Sequence, residues 1–292
     1  DSLSGGSGAD TYHFSAGWGS DALFDDDAAQ LKFDSTVSSS DVRLWREFYF
    51  GFSDSLLLTH DESGSSTRIH SFYSATNSTG VSAVFADSST WTSADMASRV
   101  AGILGSAAAD TISLANSGEI RGMAGSDTLN GSAAADVLDG GSDKDRMPGG
   151  AGDDIYIVDT VGDTTTEAAN AGSDTVRSSI SWTLAANLEN LELLGVSAIS
   201  ATGNSGNNVL RGNAAANTLN GGSGADTMSG AAGDDTYVVD NAADSVVESA
   251  GQGTDLVQAS VTFTLGANVE NLTLTGTAAI NARINGFWKA VN

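Results

Sequence analysis

The nonapeptide GGSGADTYH at residues 5–13 decides the fold, because it recurs in variant form along most of the chain. It returns as GGAGDDIYI (149–157), GGSGADTMS (221–229) and GAAGDDTYV (230–238). The shared pattern is Gly-Gly-x-Gly-x-Asp-x-apolar-x, which is a glycine turn followed by a short strand. One such unit cannot bury its apolar residue alone, so the repeat predicts stacked parallel strands in a β-roll.

The aspartate at the sixth position supplies the chemistry of the repeat. Glycine adopts positive φ at no steric cost, so the turn can be tight enough to leave carbonyl oxygens pointing into the gap between neighbouring turns. The aspartate adds a carboxylate to the same gap. Because calcium takes several hard oxygen ligands, both carboxylate and carbonyl, each turn is a partial calcium cage that a neighbouring turn completes.

The residue two positions after each aspartate is predicted to face the core. A flexible Gly/Ser/Asp linker, the alternative, would show no strict register and would carry polar residues at this position. The register instead holds without a gap over three consecutive nonapeptides, twice. The core positions, none of them polar, are Leu3, Tyr12, Ile112, Leu129, Leu138, Met147, Tyr156, Leu210, Leu219, Met228 and Tyr237.

The charge balance restricts the possible partners. The 292 residues contain 12 Lys and Arg against 37 Asp and Glu, a net charge of −25, which opposes binding to nucleic acid. Carboxylates crowded between coils repel each other, so we expect a roll that is unfolded or loose without calcium. Cysteine is absent, which leaves metal as the expected staple. No apolar run is long enough to predict a transmembrane segment.

A longer repeat contains the short one. Residues 122–202 and 203–283 align without a gap, so that Asn190 corresponds to Asn271, an offset of 81 residues. Each copy runs from nonapeptides through an acidic, Gly-containing stretch into alternating strands and closes with ANLENLELLG or ANVENLTLTG. We expect the two asparagines to bond turn backbone at a corner of the solenoid; a catalytic asparagine is the alternative.

Residues 28–101 interrupt the repeats and are rich in aromatic and basic side chains, with 10 of the 20 aromatic residues and 5 of the 12 Lys and Arg residues of the chain. Their short alternating runs predict a small antiparallel β unit, followed by a helix over 94–101. The aromatic side chains form either an ordinary core or a ligand surface for carbohydrate. The residues that would build such a surface are Trp45, Phe48, Tyr49, Phe50 and Phe52.

The nonapeptides resemble those of RTX proteins, the haemolysin-type calcium-binding family. The stretch that ends in FADSSTWTSADM resembles the haemolysin-type calcium-binding related segment between RTX blocks. The resemblance implies an all-β fold of right-handed parallel β-roll blocks, two nonapeptides to a coil. It also implies several Ca²⁺ ions between successive coils and a secreted, extracellular or cell-surface protein exported by the type I secretion machinery.

The resemblance also implies the calcium ligands. Side chains paired between coils would be Asp127 with Asp145, Asp136 with Asp154, Asp145 with Asp163, Asn208 with Asp226, Asn217 with Asp235, and Asp226 with Asp244. Further carboxylate ligands would be Asp10, Asp21, Asp110, Asp174 and Asp255. Backbone carbonyl ligands would come from Gly5, Gly122, Gly140, Gly149, Gly221 and Gly230.

These sites are not predicted to be equal. Asn keeps an oxygen ligand but lacks the charge of Asp, so the Asn sites should be weaker. Three nonapeptides, which begin at Gly105, Gly131 and Gly212, carry Ala at the fourth position, and we expect their turns to be reshaped. The repeat at 140–148 is the most irregular, because Pro148 cannot donate to a strand ladder.

The domain organisation predicted from these patterns has five parts. Because the first four residues read as the tail of an earlier nonapeptide, we expect the sequence to be a fragment of a longer protein. The parts are a truncated RTX block (1–27), the β-rich insert (28–101), an RTX block with the first solenoid copy (102–202), an RTX block with the second (203–283), and a tail (284–292).

Catalytic motifs are absent from the sequence, which contains neither HExxH, GxSxG nor a phosphate-binding Gly-rich loop. Its histidines, His13, His60 and His70, show no catalytic arrangement. We therefore predict a non-enzymatic, calcium-binding module that folds on calcium binding after export. The alternatives are a calcium-rigidified adhesin or surface-layer segment with a ligand-binding insert that takes a glycan or cell-surface ligand, and the C-terminal accessory region of a secreted hydrolase.

Overall fold

A computed structural model describes residues 2–5, 9–15, 17–24, 29–49, 52–60, 66–69, 82–85, 88–92, 96, 100–276, 280–284 and 287–289. Almost all of their regular structure is β, with one short 3-10 turn at Ser39–Asp41. The chain forms two compact units, Asp1–Ile112 with Gly118–Gly125 and Ser113–Ser117 with Ser126–Asn292. No helix in the described ranges is long and apolar enough to cross a membrane.

The first unit combines parallel and antiparallel strands. In the part that the structure describes, these are β1 (Ser2–Ser4), β2 (Asp10–Phe14), β3 (Ser20–Phe24), β4 (Ala29–Phe33), β5 (Val42–Tyr49), β6 (Phe52–His60), β7 (Ser66–Ile69), β8 (Ser82–Val84), β9 (Thr90–Thr92), β10 (Val100–Leu104) and β12 (Glu119–Arg121), with β11 (Thr111–Ser113) at the junction. Their sheet orders are β1-β3-β7-β6-β5-β10-β12 and β2-β4-β8-β9.

The predicted antiparallel insert is confirmed, and it is built into the sheets of the roll. β5, β6 and β7 pair antiparallel, whereas β7 and β5 pair parallel with β3 and β10. The apolar alternation of β4, whose residues are buried at every second position, points Leu31 and Phe33 into a core where Phe33 stacks on Phe85 with ring centroids 4.9 Å apart.

The helix predicted over 94–101 is wrong at its end. Val100 and Ala101 belong to strand β10. Met96 is helical and buried in the core, and the other positions of the predicted helix lie outside the described residues. These two residues form a strand rather than a helix because β10 completes a hydrogen-bonded ladder between β5 and β12.

The second unit is a regular parallel solenoid. Its described strands are β13 (Thr128–Asn130), β14 (Val137–Asp139), β15 (Arg146–Pro148), β16 (Ile155–Val158), β17 (Thr164–Thr166), β18 (Thr175–Ser178), β19 (Trp182–Thr183), β20 (Asn190–Leu193), β21 (Ser200–Thr202), β22 (Val209–Arg211), β23 (Thr218–Asn220), β24 (Thr227–Ser229), β25 (Thr236–Val239), β26 (Ser245–Val246), β27 (Leu256–Ala259), β28 (Phe263–Thr264), β29 (Asn271–Leu274), β30 (Ala282–Ile284) and β31 (Phe287–Lys289).

Within each parallel sheet of the solenoid a strand pairs with the next strand but one in the sequence, whereas β30 and β31 pair antiparallel in a separate sheet, β28-β30-β31. The orders are β13-β15-β17, β14-β16-β18-β20-β22-β24-β26 and β19-β21-β23-β25-β27-β29. Val137 lies opposite Ile155, and Val209 lies opposite Thr227. This offset is two nonapeptides, so the coil composition that the RTX resemblance implies is confirmed.

Burial follows the nonapeptide register. The predicted core residues from Ile112 to Tyr237 are all buried, while Leu3 and Tyr12 are partly buried against the first core. Pro148, in the most irregular repeat, still extends β15, and its carbonyl accepts the Gly131 N–H at 2.9 Å. Proline lacks a donor but keeps its acceptor, so it fits this strand end.

The offset of 81 residues places equivalent strands of the two copies in different sheets of the solenoid. Because it is an odd multiple of the nonapeptide, equivalent residues fall half a coil apart. β16 accordingly lies in the sheet order that contains β14 and β18, whereas its counterpart β25 lies in the order that contains β23 and β27. Each copy therefore presents the same features on the alternate sheet of the solenoid.

Replacing Val176 by Ala tests the core register. Val176 is fully buried, whereas Val161, which serves as the matched control, is exposed to 79%. V176A should lower the free energy of unfolding by about 2 kcal/mol, since it removes two buried methyl groups and leaves a cavity. V161A should have almost no effect. Urea unfolding in excess calcium measures both, and equal losses would contradict the register.

Candidate metal sites

Side-chain oxygens at the sixth position of the repeats form a ladder through the second unit. The Asp145 carboxylate accepts the backbone N–H of Asp127, one coil earlier, at 2.8 Å. The same bond, at 2.7 to 3.1 Å, links the acceptors Asp154, Asp163, Asp226, Asp235 and Asp244 to the donors Asp136, Asp145, Asn208, Asn217 and Asp226 respectively. The structure thus brings together all six pairs that the resemblance implies.

The ladder continues past the nonapeptides. Asp174 accepts the Asp154 N–H at 2.9 Å, and its own N–H is bound by Glu189, also at 2.9 Å. In the second copy, Asp255 and Glu270 take the same positions. Glu189 and Glu270 were not among the residues predicted from the sequence. Their identical place in both copies was the signal that could have identified them.

Five turns of the second unit and its junction have an open form, in which the second and fourth residues both take positive φ. In the turn before Asp154, Gly150 has φ 108° and Gly152 has φ 114°. The second carboxylate oxygen of Asp154 is buried and has no hydrogen-bond partner among the described residues. Asp145, Asp226 and Asp235 end open turns and have the same unpartnered oxygen; the fifth open turn ends at Asp127.

Four other turns have a closed form with neither φ positive. In the turn before Asp136, the Ser132 N–H donates to the second carboxylate oxygen at 2.6 Å, and the Ser132 hydroxyl accepts the Ala134 N–H. Equivalent bonds join Ser106 to Asp110, Asn204 to Asn208 and Asn213 to Asn217. In these turns the protein's own amide occupies the oxygen that is unpartnered in open turns.

The second residue of the repeat selects the form. Ser or Asn there caps the turn, even where the fourth residue is glycine, because Asn204 accepts the Gly206 N–H at 2.8 Å. Ala at the fourth position accompanies the closed form at Ala134 and Ala215. The reshaping expected of these turns therefore has its cause two residues earlier.

The asparagine turns carry donors where calcium would need acceptors. The side-chain amide of Asn208 donates to the Leu188 carbonyl at 2.9 Å. The amide of Asn217 donates to the Ile199 carbonyl at 3.0 Å. Hydrogen bonds thus link carbonyls and side chain across these coils without an ion.

The remaining predicted ligands are placed as follows. Asp163 and Asp244 use their second oxygens to cap Thr160 and Asn241. Asp10 has a buried oxygen with no hydrogen-bond partner among the described residues, and a Cβ on Gly5 would overlap it; Asp21 lies in β3. A Cβ on Gly140 would likewise meet the Asp145 carboxylate. The carbonyls of Gly122, Gly149, Gly221 and Gly230 lie against the first glycine of the preceding coil, at Gly105, Gly131, Gly203 and Gly212.

Burial also changes the acidity of the ladder. Removal from water raises the pKa of Asp145, Asp174, Asp226 and Asp235 to about 6, and that of Asp154 to about 7. Backbone hydrogen bonds from the neighbouring coil oppose this rise, and nearby carboxylates add to it. In the calcium-free solenoid, aspartates whose ionised form is disfavoured by burial therefore lie stacked on one another.

Replacing Gly152 by Ala tests the open turn. A Cβ there would lie 2.5 Å from the carbonyl carbon of Ala134, and φ is 114°. Gly195 is the matched control, since its φ is 75° but no atom lies within 4 Å of its Cβ position. G195A should cost about 1 kcal/mol of backbone strain and G152A several kcal/mol, measured by urea unfolding in calcium. Similar losses would contradict the close approach of the coils.

The raised pKa values predict an unusual pH dependence in chelator. The folded protein binds more protons than the unfolded chain between the ordinary Asp pKa of 3.8 and the raised values of about 6 to 7. This stabilisation is complete below the ordinary pKa and is lost as pH rises through the raised one. The thermal midpoint in chelator should therefore be higher at about pH 5 than at about pH 8. A midpoint that increases over this interval would contradict the assignment.

Comparison with known proteins gives one family. The RTX calcium-binding nonapeptide repeat matches in four copies, over residues 1–21, 121–156 and 202–237. No curated protein matches the chain. The matched residues include the open turns at Asp127, Asp145, Asp154, Asp226 and Asp235 and the strands that follow them. The chain thus carries RTX calcium-binding nonapeptide repeats, folded as a parallel β-solenoid.

Proposed function

We propose that this chain is a calcium-binding structural module in which the open turns hold the ions and the closed turns do not. The observation that carries the proposal is the set of buried carboxylate oxygens at Asp145, Asp154, Asp226 and Asp235 that have no hydrogen-bond partner in the part of the chain that the structure describes. A buried acceptor of this kind costs free energy unless a donor or a cation meets it. Turn carbonyls and a second carboxylate nearby suit calcium.

The surrounding charge supports a cation. The ion pairs of the described residues join Arg121 to Glu119 and Arg177 to Glu192, and neither involves Asp145, Asp154, Asp226 or Asp235. The net charge of −25 acts in the same direction. An ion at ten times its dissociation constant adds about 1.4 kcal/mol, so several ions together decide whether the solenoid is folded.

The proposal also covers Asn208 and Asn217, which were predicted from the sequence to be weak metal ligands and are assigned here to turns that hold no ion. Their amide groups donate to backbone carbonyls of the preceding coil, and their oxygens accept the N–H of Asn204 and Asn213. These turns are stabilised by hydrogen bonds in place of an ion. Asp110 and Asp136, whose second oxygens are also capped, belong to the same group.

Coupling of folding to calcium gives the module a role in export. Where calcium is scarce, repulsion among the ladder carboxylates keeps the open-turn coils loose and easily unfolded, which suits passage through a type I secretion channel. Outside the cell, calcium fills the open turns and the solenoid folds. A non-enzymatic role as the structural part of a secreted protein follows.

The adhesin alternative receives less support. Trp45, one of the aromatic residues of its ligand surface, is 4% exposed and lies under the Arg121 guanidinium, 4.5 Å from the ring centre. Its indole N–H is bound to Thr59. These contacts favour a packing role. The side chains of Phe48, Tyr49, Phe50 and Phe52 lie outside the described part of the structure.

Isosteric Asp-to-Asn substitutions test the division between open and closed turns. D145N and D226N each remove the charge from an unpartnered oxygen, whereas D136N, the matched control, changes one that the Ser132 N–H already caps. Calcium titration followed by circular dichroism and calorimetry should show gain of β structure in the wild type. D145N and D226N should lose an ion or need about tenfold more calcium, and D136N should not.

Two results would refute the proposal. Unchanged β content between chelator and millimolar calcium would refute calcium-coupled folding. Equal weakening by D136N and D145N would refute the division of the turns.

A further inference from the structure

We infer that each 81-residue copy holds a second kind of metal site, built on three carboxylates of which two lie beyond the nonapeptides. The residues are Asp154, Glu167 and Asp174 in the first copy, and Asp235, Glu248 and Asp255 in the second. The ligand is a hard divalent cation, with calcium as the probe. The inference rests on the proposed calcium-binding function: the site shares the unpartnered oxygens of the open turns at Asp154 and Asp235 and adds carboxylates that the repeat pattern does not contain.

Three separate segments bring the carboxylates of the first copy together. Asp154 precedes β16, Glu167 follows β17 and Asp174 precedes β18. One oxygen from each lies within 4.8 Å of the others, and all three residues are buried. Oxygens at this separation can share one ion, whereas three unscreened negative charges would repel strongly.

Each carboxylate has one oxygen held by the protein and one left over. The held oxygens accept the Asp136 N–H, the Tyr156 hydroxyl and the Asp154 N–H, respectively. The second oxygens of Asp154, Glu167 and Asp174 are buried without a hydrogen-bond partner among the described residues. The protein therefore orients this cluster and leaves its remaining acceptors for a ligand that brings positive charge.

Space for the cluster is made by Gly149. A Cβ at this residue would overlap the Tyr156 hydroxyl and the carboxylates of Glu167 and Asp154. The Tyr156 hydroxyl donates to Glu167, and the side-chain amide of Asn187 donates to the Glu167 backbone carbonyl at 3.0 Å. Hydrogen bonds thus hold both the side-chain carboxylate and the backbone carbonyl of Glu167 in place.

The second copy repeats this arrangement on the other sheet order. Tyr237 donates to Glu248, Asn268 donates to the Glu248 carbonyl at 3.0 Å, and a Cβ on Gly230 would overlap Asp235 and Tyr237. The second oxygens of Asp235 and Glu248 are also buried without partners in the described ranges. Two copies that occupy different sheets share the geometry, so it does not depend on one local environment.

An ion at this site would connect the repeats to the segment that follows them. Asp154 belongs to the last nonapeptide of its block, while Glu167 and Asp174 lie in the acidic stretch at 162–176. The ion would fix that stretch against the last open turn and so carry the calcium response from the nonapeptides into the non-repetitive half of each copy. Tandem copies would place this junction on alternate sheets.

The test compares the full chain carrying E167Q and E248Q together with the control variant E192Q. Glu192 is a half-exposed partner of Arg177, and the second copy has Thr273 at this place. The glutamines keep the shape of the side chain and an oxygen for the tyrosine but remove the buried charge. Thermal melts in chelator and in calcium, with calorimetry for stoichiometry, provide the readouts.

In chelator the double variant should melt above the wild type, because a buried repulsion is removed. In calcium it should melt below the wild type, and the calcium needed to fill two of the sites should rise at least tenfold. Each single variant should affect one site, which keeps a folded solenoid available if the double variant is unstable. E192Q should follow the wild type in both conditions.

An equal shift of the double variant in chelator and in calcium would overturn the inference, because Glu167 would then be only a partner for Tyr156. Unchanged calcium stoichiometry and affinity would overturn it as well. In both cases a wild type that gains stability with calcium would leave the proposed function intact. A wild type that gains none would refute the proposed function itself.

Discussion

The solenoid depends on one contact, a sixth-position carboxylate held under the backbone N–H of the equivalent residue one coil earlier. This bond joins adjacent coils beside their strand ladders and buries the acid that accepts it. Burial then raises the free-energy cost of the charged form, as the pKa values of Asp154 and Asp235 reflect. Every coil must therefore find a second partner for its carboxylate.

The chain supplies that partner in two ways. In a closed turn a backbone N–H of the turn itself donates to the side chain, as the Ser132 N–H does to the Asp136 carboxylate. Such a turn satisfies this carboxylate oxygen without an ion. Open turns take positive φ at two residues and, as at Asp154, leave a buried carboxylate oxygen whose partner must come from solution. The second copy begins with two closed turns, at Asn208 and Asn217, before its open turns at Asp226 and Asp235. Nearest-neighbour coupling in a solenoid would let the closed turns act as a folded base for the calcium-dependent ones.

Much of this could be predicted from sequence, because the nonapeptide fixes both the strand register and the position of the acid. The buried apolar positions, the pairs across coils and the antiparallel insert all followed from periodicity or from the family resemblance. The closed turns did not, since the capping residue is Ser or Asn, which in a glycine-rich turn looks unremarkable. Glu167 and Glu248 were missed for a different reason: they meet Asp154 and Asp235 only after the chain has passed through a further strand. The helix end failed because Val100 and Ala101 are required by a strand ladder that sequence could not show.

If calcium fills the open turns while hydrogen bonds already satisfy the closed ones, only the open turns should need calcium to be stable. Amide hydrogen exchange of the full chain, in chelator and in calcium, measures this turn by turn. The amides of Asn204, Val209 and Asn213, which bond within 203–220 or to the preceding coil, should already be protected in chelator, while protection at 140–154 and 221–235 should appear only with calcium. Protection that rises equally in all three segments, or that is present at 221–235 in chelator, would contradict it.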